Sequence, residues 1–580
     1  MLNDAQQQAV VTRGNLVITA CPGSGKTTVL VHRAQRILES DPRAHLVGVT
    51  FSAKAAAELD SRIRAKMPGA GRRLTCGTFH SLCKRQLEAR GKKLNLITGL
   101  RQLDLARHAY KDVAAGLPEG PSFDEALAYI EATKATVDPI HAPSDALKTE
   151  VYHRYQELLS QMGANDFADL LLLAVQGMQD GSIKPYPVQY MLVDEFQDTD
   201  AVQLQWVKAH LLSGVEVSVV GDDDQSIFGW RSAAGYAGIE DFRLHAKAQL
   251  ITLDTTYRCA QQIMVPAARL IAHNLERIPK SLRTKNTRGG VAAVRRYGSR
   301  EDEFDAILEA VASSPNPADW AVLARTNAQL EALEGHMSQA VPVVRSGGTS
   351  FWDLRGPALF LSLCRSLALG EMVGIDEALR RSGVGEEEIE RIHVQCRSKE
   401  AGAARRFAFA EARPRTSHPV GRLQDYLQRW MRTSTARDAD LTPTLLGIAH
   451  YIKSHVTLYK RRSELDREMD NRRLDRCVDS LKRIPGTLVQ RLNLISQTQE
   501  SAQDNAARLM TLHASKGLEF ENVWILGAEE GNIPSSGGDR SEERRLAYVG
   551  MTRAKSLLIL SYVVSTDAAP SSFLAEAGLA

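Results

Sequence analysis

The chain has 580 residues, too many for a single hydrophobic core, so several domains are expected. Apolar residues at 43% and charged residues at 24% are the proportions of an ordinary globular protein, and no stretch reaches the ~18 apolar residues of a membrane span. The formal net charge of +3 is small for this length, so any nucleic-acid binding rests on a local groove and not on overall charge.

The N-terminus, MLNDAQQQAV, is polar and lacks a signal-peptide layout. Residues 15–20 read as a short buried strand that runs into Cys21-Pro22-Gly23-Ser24-Gly25-Lys26-Thr27-Thr28. This is a phosphate-binding loop with Ala20 where the first glycine usually stands. Gly23 and Gly25 let the backbone bend so that successive N–H groups face phosphate oxygens. Lys26 then reaches the β- and γ-phosphates of a nucleotide, and Thr27 supplies a ligand to Mg²⁺. Leu30, Ala34, Ile37 and Leu38 share one face of the following helix, whose N-terminus favours anions. A chance glycine turn does not account for this strand–loop–helix order.

A second strand over residues 46–51 ends in Thr50-Phe51-Ser52-Ala53-Lys54, and residues from about 82 to 188 are mostly helical in pattern. A third strand, Met191-Leu192-Val193, ends in Asp194-Glu195. Paired acids at a strand end suit phosphate hydrolysis, one carboxylate serving Mg²⁺ and the next polarising the attacking water. The alternative is a pair of exposed acids capping the next helix. A fourth strand over 217–220 leads into Gly221-Asp222-Asp223-Asp224-Gln225-Ser226-Ile227-Phe228-Gly229-Trp230-Arg231. Taken alone, Trp230 fits either a core position or a base-stacking platform.

The second half reads as another parallel sheet, with candidate strands at 291–294, 320–323, 341–344, 523–526 and 557–560. Between them, residues 401–415 have the composition of a basic segment. Arg461, Arg462, Arg467, Arg472, Arg473 and Arg476 alternate with Glu464, Asp466, Glu468 and Asp475, a pattern that favours a salt-bridged helix over a duplex-binding patch. Cys21, Cys76, Cys83, Cys259, Cys364, Cys396 and Cys477 are scattered with no C-x-x-C pair. That argues against zinc and iron–sulfur sites and fits free thiols in a reducing cytosol, so a cytoplasmic location is expected.

LNDAQQQAV, ACPGSGKTT, VTFSAKAAAEL, GTFHSL, VDEFQDTD, VVGDDDQSIFGWRSA, TLHASKGLEF and EERRLAYVGMTRA stand in the order seen in UvrD/Rep/PcrA-type superfamily 1 DNA helicases. The resemblance runs from Leu2 to about Phe573. It implies an α/β fold of two RecA-like parallel-sheet motor domains, each interrupted by a mainly helical insertion. The first motor domain would comprise 1–81 and 189–253, and the second 254–351 and 505–580, with insertions at 82–188 and 352–504.

What the resemblance implies for the site can be stated residue by residue. ATP and Mg²⁺ would be the cofactors, with the nucleotide cradled by Ala20, Cys21, Pro22, Gly23, Ser24, Gly25, Lys26, Thr27 and Thr28. Gln6 would read the adenine, Tyr257 would stack on it, and Glu519 would contact the ribose. Thr27 and Asp194 would hold Mg²⁺, Glu195 would activate water, and Gln225 would sense the γ-phosphate. Arg258 and Arg553 would be arginine fingers. Thr50, Phe51, Phe79, His80, Phe228, Trp230, Arg231 and His513 would line the DNA path.

Several positions depart from the family. Ser52-Ala53 replaces the usual Thr-Asn, which weakens an expected DNA contact. Thr255-Thr256-Tyr257-Arg258-Cys259 keeps the stacking Tyr and the finger Arg within an altered frame. Gly347-Gly348-Thr349-Ser350-Phe351 resembles a family segment, but the glutamate expected near Arg355-Gly356-Pro357 is missing.

The function this implies is ATP-driven movement 3′ to 5′ on single-stranded DNA, with unwinding at single-strand/duplex junctions and no membrane partner. Rival readings are remodelling of nucleoprotein complexes and service as the motor of a helicase–nuclease or anti-phage complex. As the chain ends at Ala580 after the second motor half, cutting would need a protein partner such as a nuclease or repair factor.

Overall fold

Apolar runs ending in short turns pair into two six-stranded parallel sheets in the computed structural model. It describes residues 2–91, 94–114, 116–117, 120–137, 145–229, 232–338, 340–396, 402–410, 418–434, 440–458, 464–500, 505–564 and 569–579. The strands of the first sheet are β1 (Leu16–Ala20), β2 (Leu46–Thr50), β3 (Leu74–Thr78), β4 (Tyr190–Val193), β5 (Glu216–Gly221) and β6 (Gln249–Leu253). Their order is β3-β2-β4-β5-β1-β6, and every pairing is parallel. A parallel sheet buries both faces, and the residues divide accordingly. Leu16, Ile18 and Ala20 meet Leu30 and Ala34 of the helix Lys26–Ser40 on one face. Val17, Val47, Val49 and Met191 join Phe79, Leu171 and Trp206 on the other.

A short pair follows, β7 (Thr255–Thr256) beside β8 (Arg283–Thr284). The second large sheet uses β9 (Val291–Tyr297), β10 (Trp320–Ala324), β11 (Val343–Ser346), β12 (Ala507–Thr511), β13 (Phe520–Ile525) and β14 (Ala554–Val563). Its order is β11-β12-β10-β13-β14-β9, again parallel throughout. The expected fold class, two parallel-sheet halves with helical insertions, is the one observed. Strands β3, β6 and β12 were not anticipated; LTCGT, QLITL and ARLMT each mix polar and small residues into a short run.

By packing, the chain forms two compact units. One comprises Met1–Gly290, Gly538–Tyr548 and Glu576–Gly578; the other comprises Val291–Gly537, Val549–Ala575 and Leu579–Ala580. Residues 254–290, expected with the second half, thus group with the first. The reason is physical: Tyr257 N–H donates to the Gly23 carbonyl at 3.0 Å, and Arg277 forks onto Asp224 at 2.8 and 2.7 Å.

Each insertion has its own core. The first is built from Ile97 to Ala164 around Tyr155, whereas the helices Phe79–Ala89 and Phe167–Gln179 at its borders pack into the first sheet. The second gathers Phe360, Leu423, Trp430, Tyr451 and Leu481 among others. Its arginine-rich stretch lies on the helix Glu464–Arg483, where Arg473 pairs with Glu331 at 2.8 Å and Asp470 at 3.0 Å. Arg472 pairs with Glu468 one turn away on the same helix, the kind of pair alternating charge predicts; Arg461 and Arg462 lie outside the described residues. In the 401–415 segment, Ala403–Phe409 is a short helix with Phe407 buried, and 401 and 411–417 lie outside the described residues.

Trp206 is fully buried, donates its indole N–H to Gln86 at 2.8 Å, and meets the Phe79 ring edge-on at 5.7 Å. Trp206→Ala should therefore cost about 3–5 kcal/mol, as large-to-small core changes do. Trp206→Phe, which strands only the Gln86 oxygen, should cost about 1–3 kcal/mol. Calorimetric unfolding of both variants checks the order.

Candidate active site and DNA-facing surface

The carboxyl edge of the first sheet collects most of the expected residues, because parallel strands deliver every following loop to the same side. β1 ends at Ala20 and the chain turns through Gly23 (φ 71°) and Gly25 (φ 83°) before the helix begins at Lys26. Cys21 and Pro22 are buried under the turn, and burial holds the Cys21 thiol protonated far above its ordinary range. The Ser24 hydroxyl oxygen is buried without a hydrogen-bond partner among the described residues. A buried orphan oxygen in a glycine-bent loop suits an oxygen-rich anion. Thr27 is half-buried and Thr28 exposed at the start of the helix.

Lys26 Nζ lies 2.9 Å from Glu195 Oε2. Burial alone would lower the lysine pKa, but Glu195, Asp194 and Asp222 outweigh it and raise it above the usual value. Burial, with the like charge of Glu195 behind it, pushes Asp194 up to about 7. Glu195 itself stands at φ 51°, ψ 42°, a left-handed conformation that costs a side-chain-bearing residue about 1–2 kcal/mol. It is held there because its N–H donates to Asp194 Oδ1 at 2.9 Å and Gln197 Nε2 donates to its Oε2 at 2.7 Å. The same Gln197 accepts the Asp222 N–H at 2.9 Å, and Asp222 Oδ2 accepts from Gln225 Nε2. One chain of hydrogen bonds thus runs from Lys26 to Gln225.

Gln6 begins the other side of the site. The motif Asn3-Asp4-Ala5-Gln6 forms a reciprocal capping box on the helix Asp4–Val11. Gln6 Nε2 donates to the Ser24 carbonyl at 2.8 Å, and Asn3 Nδ2 donates to the Tyr257 hydroxyl at 3.0 Å. Asn3 was not singled out from the sequence, although its N-x-x-Q spacing was a legible cap. Arg258 lies against the loop: a Cβ built on Gly23 would fall 2.5 Å from Arg258 Cβ.

On the proposed DNA path the placements vary. Phe51 is 44% exposed and its ring stacks parallel to that of Phe228, centroids 6.1 Å apart. His80 is half-buried, with its pKa lowered by burial, and meets Phe167 edge-on. Phe79 is buried in the sheet core against Trp206, so its ring braces this edge. Thr50 is likewise buried, its hydroxyl donating to the Ser52 carbonyl at 3.0 Å. Ser52, the departure noted in the sequence, caps the helix Ala53–Lys66 by accepting from Ala55 N–H at 3.1 Å. Trp230 and Arg231 lie outside the described residues. Beside them, Gly229 N–H donates to Glu542 at 3.1 Å, an anchor the sequence did not suggest.

Within the second unit, Arg553 is buried, donating to the carbonyls of Val549 at 2.8 Å and Leu518 at 3.1 Å. Glu519 is half-exposed and pairs with Lys555 at 2.9 Å. His513 sits half-buried on a single helical turn, His513–Ser515, following β12. Gly347 (φ 81°) and Gly348 (φ 123°) follow β11. At the missing glutamate, Gly356 faces Leu458 and Leu474, so that position is a packing contact here.

Residues 2–242 match the UvrD/REP helicase N-terminal domain, and residues 425–565 match the UvrD-like helicase C-terminal domain. DNA helicase II of Salmonella typhimurium is 31% identical over 618 residues, 97% of this chain and 84% of that protein. DNA helicase II of Escherichia coli K12 is 31% identical with the same coverage. ATP-dependent DNA helicase PcrA of Staphylococcus aureus is 28% identical over 97% of this chain and 83% of that protein. The chain belongs to the UvrD/REP helicase family. Among its described residues no helix is long and apolar enough to cross a membrane.

For this UvrD/REP family member the tight approach at Gly23 is testable. Gly23→Ala combines positive φ with a collision, whereas Gly14→Ala has similar φ (82°) and open space around it. Strain alone costs about 1–2 kcal/mol in either place, roughly tenfold in an equilibrium. Only Gly23→Ala should weaken binding of a fluorescent ATP analogue by about tenfold or more, since strain at Gly14 is remote from the loop.

Proposed function

We infer that this chain is an ATP-dependent DNA helicase that moves 3′ to 5′ on single-stranded DNA and unwinds duplex at its junctions. The observation that carries the reading is the hydrogen-bonded chain from Lys26 through Glu195, Gln197 and Asp222 to Gln225. Phe228, stacked on Phe51, lies three residues after Gln225, so phosphate chemistry and base contact share one short segment.

In this reading Lys26 leaves Glu195 for the β- and γ-phosphates, and the freed carboxylate accepts a proton from the attacking water. The orphan Ser24 hydroxyl and the N–H groups of the loop bind phosphate oxygens. Thr27 and Asp194 fit Mg²⁺ chemically, a hydroxyl and a carboxylate whose pKa is raised by desolvation first and by the adjacent Glu195 second. Bound there, the metal would neutralise charge on the phosphates. Gln6 and Tyr257 take the base of the nucleotide, with Asn3 holding the tyrosine hydroxyl; Glu519 takes its ribose. Arg258 and Arg553 stabilise charge in the transition state. Phe51, His80, Phe228, Trp230, Arg231 and His513 contact the DNA strand; aromatic stacking of this kind is worth about 1–3 kcal/mol per base with little sequence preference.

Glu195→Gln should retain ATP binding and stop hydrolysis, while Lys26→Ala should lose turnover entirely. Arg258→Ala and Arg553→Ala should each lower turnover more than nucleotide affinity. Steady-state ATPase with single-stranded DNA, read beside nucleotide titration, checks all of these. Near-normal hydrolysis by Glu195→Gln overturns its role as base. Unwinding of a duplex with a 3′ single-stranded tail, and not of one with a 5′ tail, tests the polarity.

A further inference from the structure

Between the helix Gln261–Ile271 and β9 the chain makes two sets of contacts that the roles above do not use. At one end Lys280 is fully enclosed. Its ammonium donates to Asp222 Oδ1 at 2.9 Å, Asp223 Oδ1 at 2.6 Å and Asp224 Oδ2 at 2.8 Å. Arg277 forks onto Asp224, and Ile278 N–H donates to Asp223 Oδ2 at 2.7 Å. Burial works against the Lys280 charge, but the three carboxylates hold it protonated.

A few residues later the same segment turns to a different partner. β8 pairs with β7, and Lys285 N–H donates to the Thr256 carbonyl at 2.9 Å. Thr284 Oγ1 donates to the Cys259 carbonyl at 2.8 Å, and Asn286 Nδ2 donates to the Arg258 carbonyl at 2.7 Å. The two ends therefore grip the loop that carries Gln225 and the backbone that carries Arg258.

A buried ion cluster is a poor way to gain stability, since apolar replacements often serve as well. What it supplies is direction. With Oδ1 of Asp222 fixed by Lys280, Oδ2 stays aimed at Gln225 Nε2, which sets the orientation of that amide. Three buried acids in succession stay ionised together only with a cation among them.

We propose that Lys280 and Asn286 are positioning residues for ATP hydrolysis. Lys280 acts through Asp222 on Gln225, Asn286 acts through its backbone bond on Arg258, and the segment joining them makes the two reacting-site groups move as one piece. The proposal rests on the roles given to Gln225 and Arg258 above.

Double-mutant cycles on the full chain test it, reading kcat and KM for ATP with single-stranded DNA, and the melting temperature. Asn286→Ala should lower kcat about tenfold while KM stays within about twofold, and the melting temperature should fall by no more than about 2–4 °C. Combined with Arg258→Ala it should add no further loss, and Lys280→Met should likewise add none to Gln225→Ala. Should Lys280→Met fail to fold, Asp222→Asn, which keeps the shape, takes its place in the cycle. Losses that multiply in both cycles, or kcat unchanged in Asn286→Ala and in the Lys280 or Asp222 variant, overturn the proposal. If Gln225→Ala and Arg258→Ala themselves leave kcat intact, the assigned roles fall and the proposal with them. That result is recognisable because it shows in the single mutants.

Discussion

The arrangement of the first unit follows from one electrostatic constraint: six parallel strands carry an excess of carboxylates to one edge, where three of them are buried and two are half-buried. Asp194 and Glu195 follow β4, and Asp222, Asp223 and Asp224 follow β5. An isolated buried carboxylate costs several kcal/mol unless a cation or hydrogen bonds compensate it. Three cations supply the balance, Lys26 on one loop and Lys280 with Arg277 on the other. Lys26 comes from the phosphate loop and reaches Glu195, while Lys280 comes from the segment after the first sheet and serves the triple aspartate. The two lysines are not equivalent. The Lys280 side chain has no accessible surface and three carboxylate partners, so its position is fixed; the Lys26 side chain keeps some exposure and, in the proposed function, exchanges Glu195 for a phosphate.

This division explains why the loops around the site are ordered by side chains that are themselves not catalytic. Gln197 joins the β4 loop to the β5 loop by donating to Glu195 and accepting from Asp222. A Cβ on Gly221 would strike Gln197 Oε1 at 2.7 Å, so the strand end and the bridging amide are fitted to each other. The strained backbone at Glu195 persists for the same reason: bonds on both sides over-determine it.

Much of this was legible in the sequence, in proportion to how local the determining physics is. The phosphate loop, the acid pair and the aspartate run are continuous motifs at strand ends, and β1, β4 and β5 were read from their apolar runs. What escaped depends on encounters between distant segments. Lys280 sits in a stretch that reads as surface, and only the meeting with Asp222, Asp223 and Asp224 buries it. Phe79 and His80 are adjacent in GTFHSL, yet one ring turns into the core and the other stays at the edge. A motif names both and cannot tell which is which. The grouping of residues 254–290 with the first compact unit is likewise not legible, because the ties that hold them there are side-chain and turn contacts with no periodic signature.

In the proposed function the parallel rings of Phe51 and Phe228 have a consequence for how a moving protein lets go of a strand. Two apolar rings that gripped a base and then lost it would each be returned to water at every cycle, a recurring penalty on release. Here each ring already lies against the other, on loops following β2 and β5, two strands separated in the sheet by β4. In the proposed function a departing base leaves each ring partly covered by the other, with Phe51 still 44% exposed. The net gain on gripping is smaller than the full burial of two phenyl faces, and the loosening step is correspondingly easier. Such a pair trades tenacity for turnover, which suits a contact that has to be made and broken at every position along a strand.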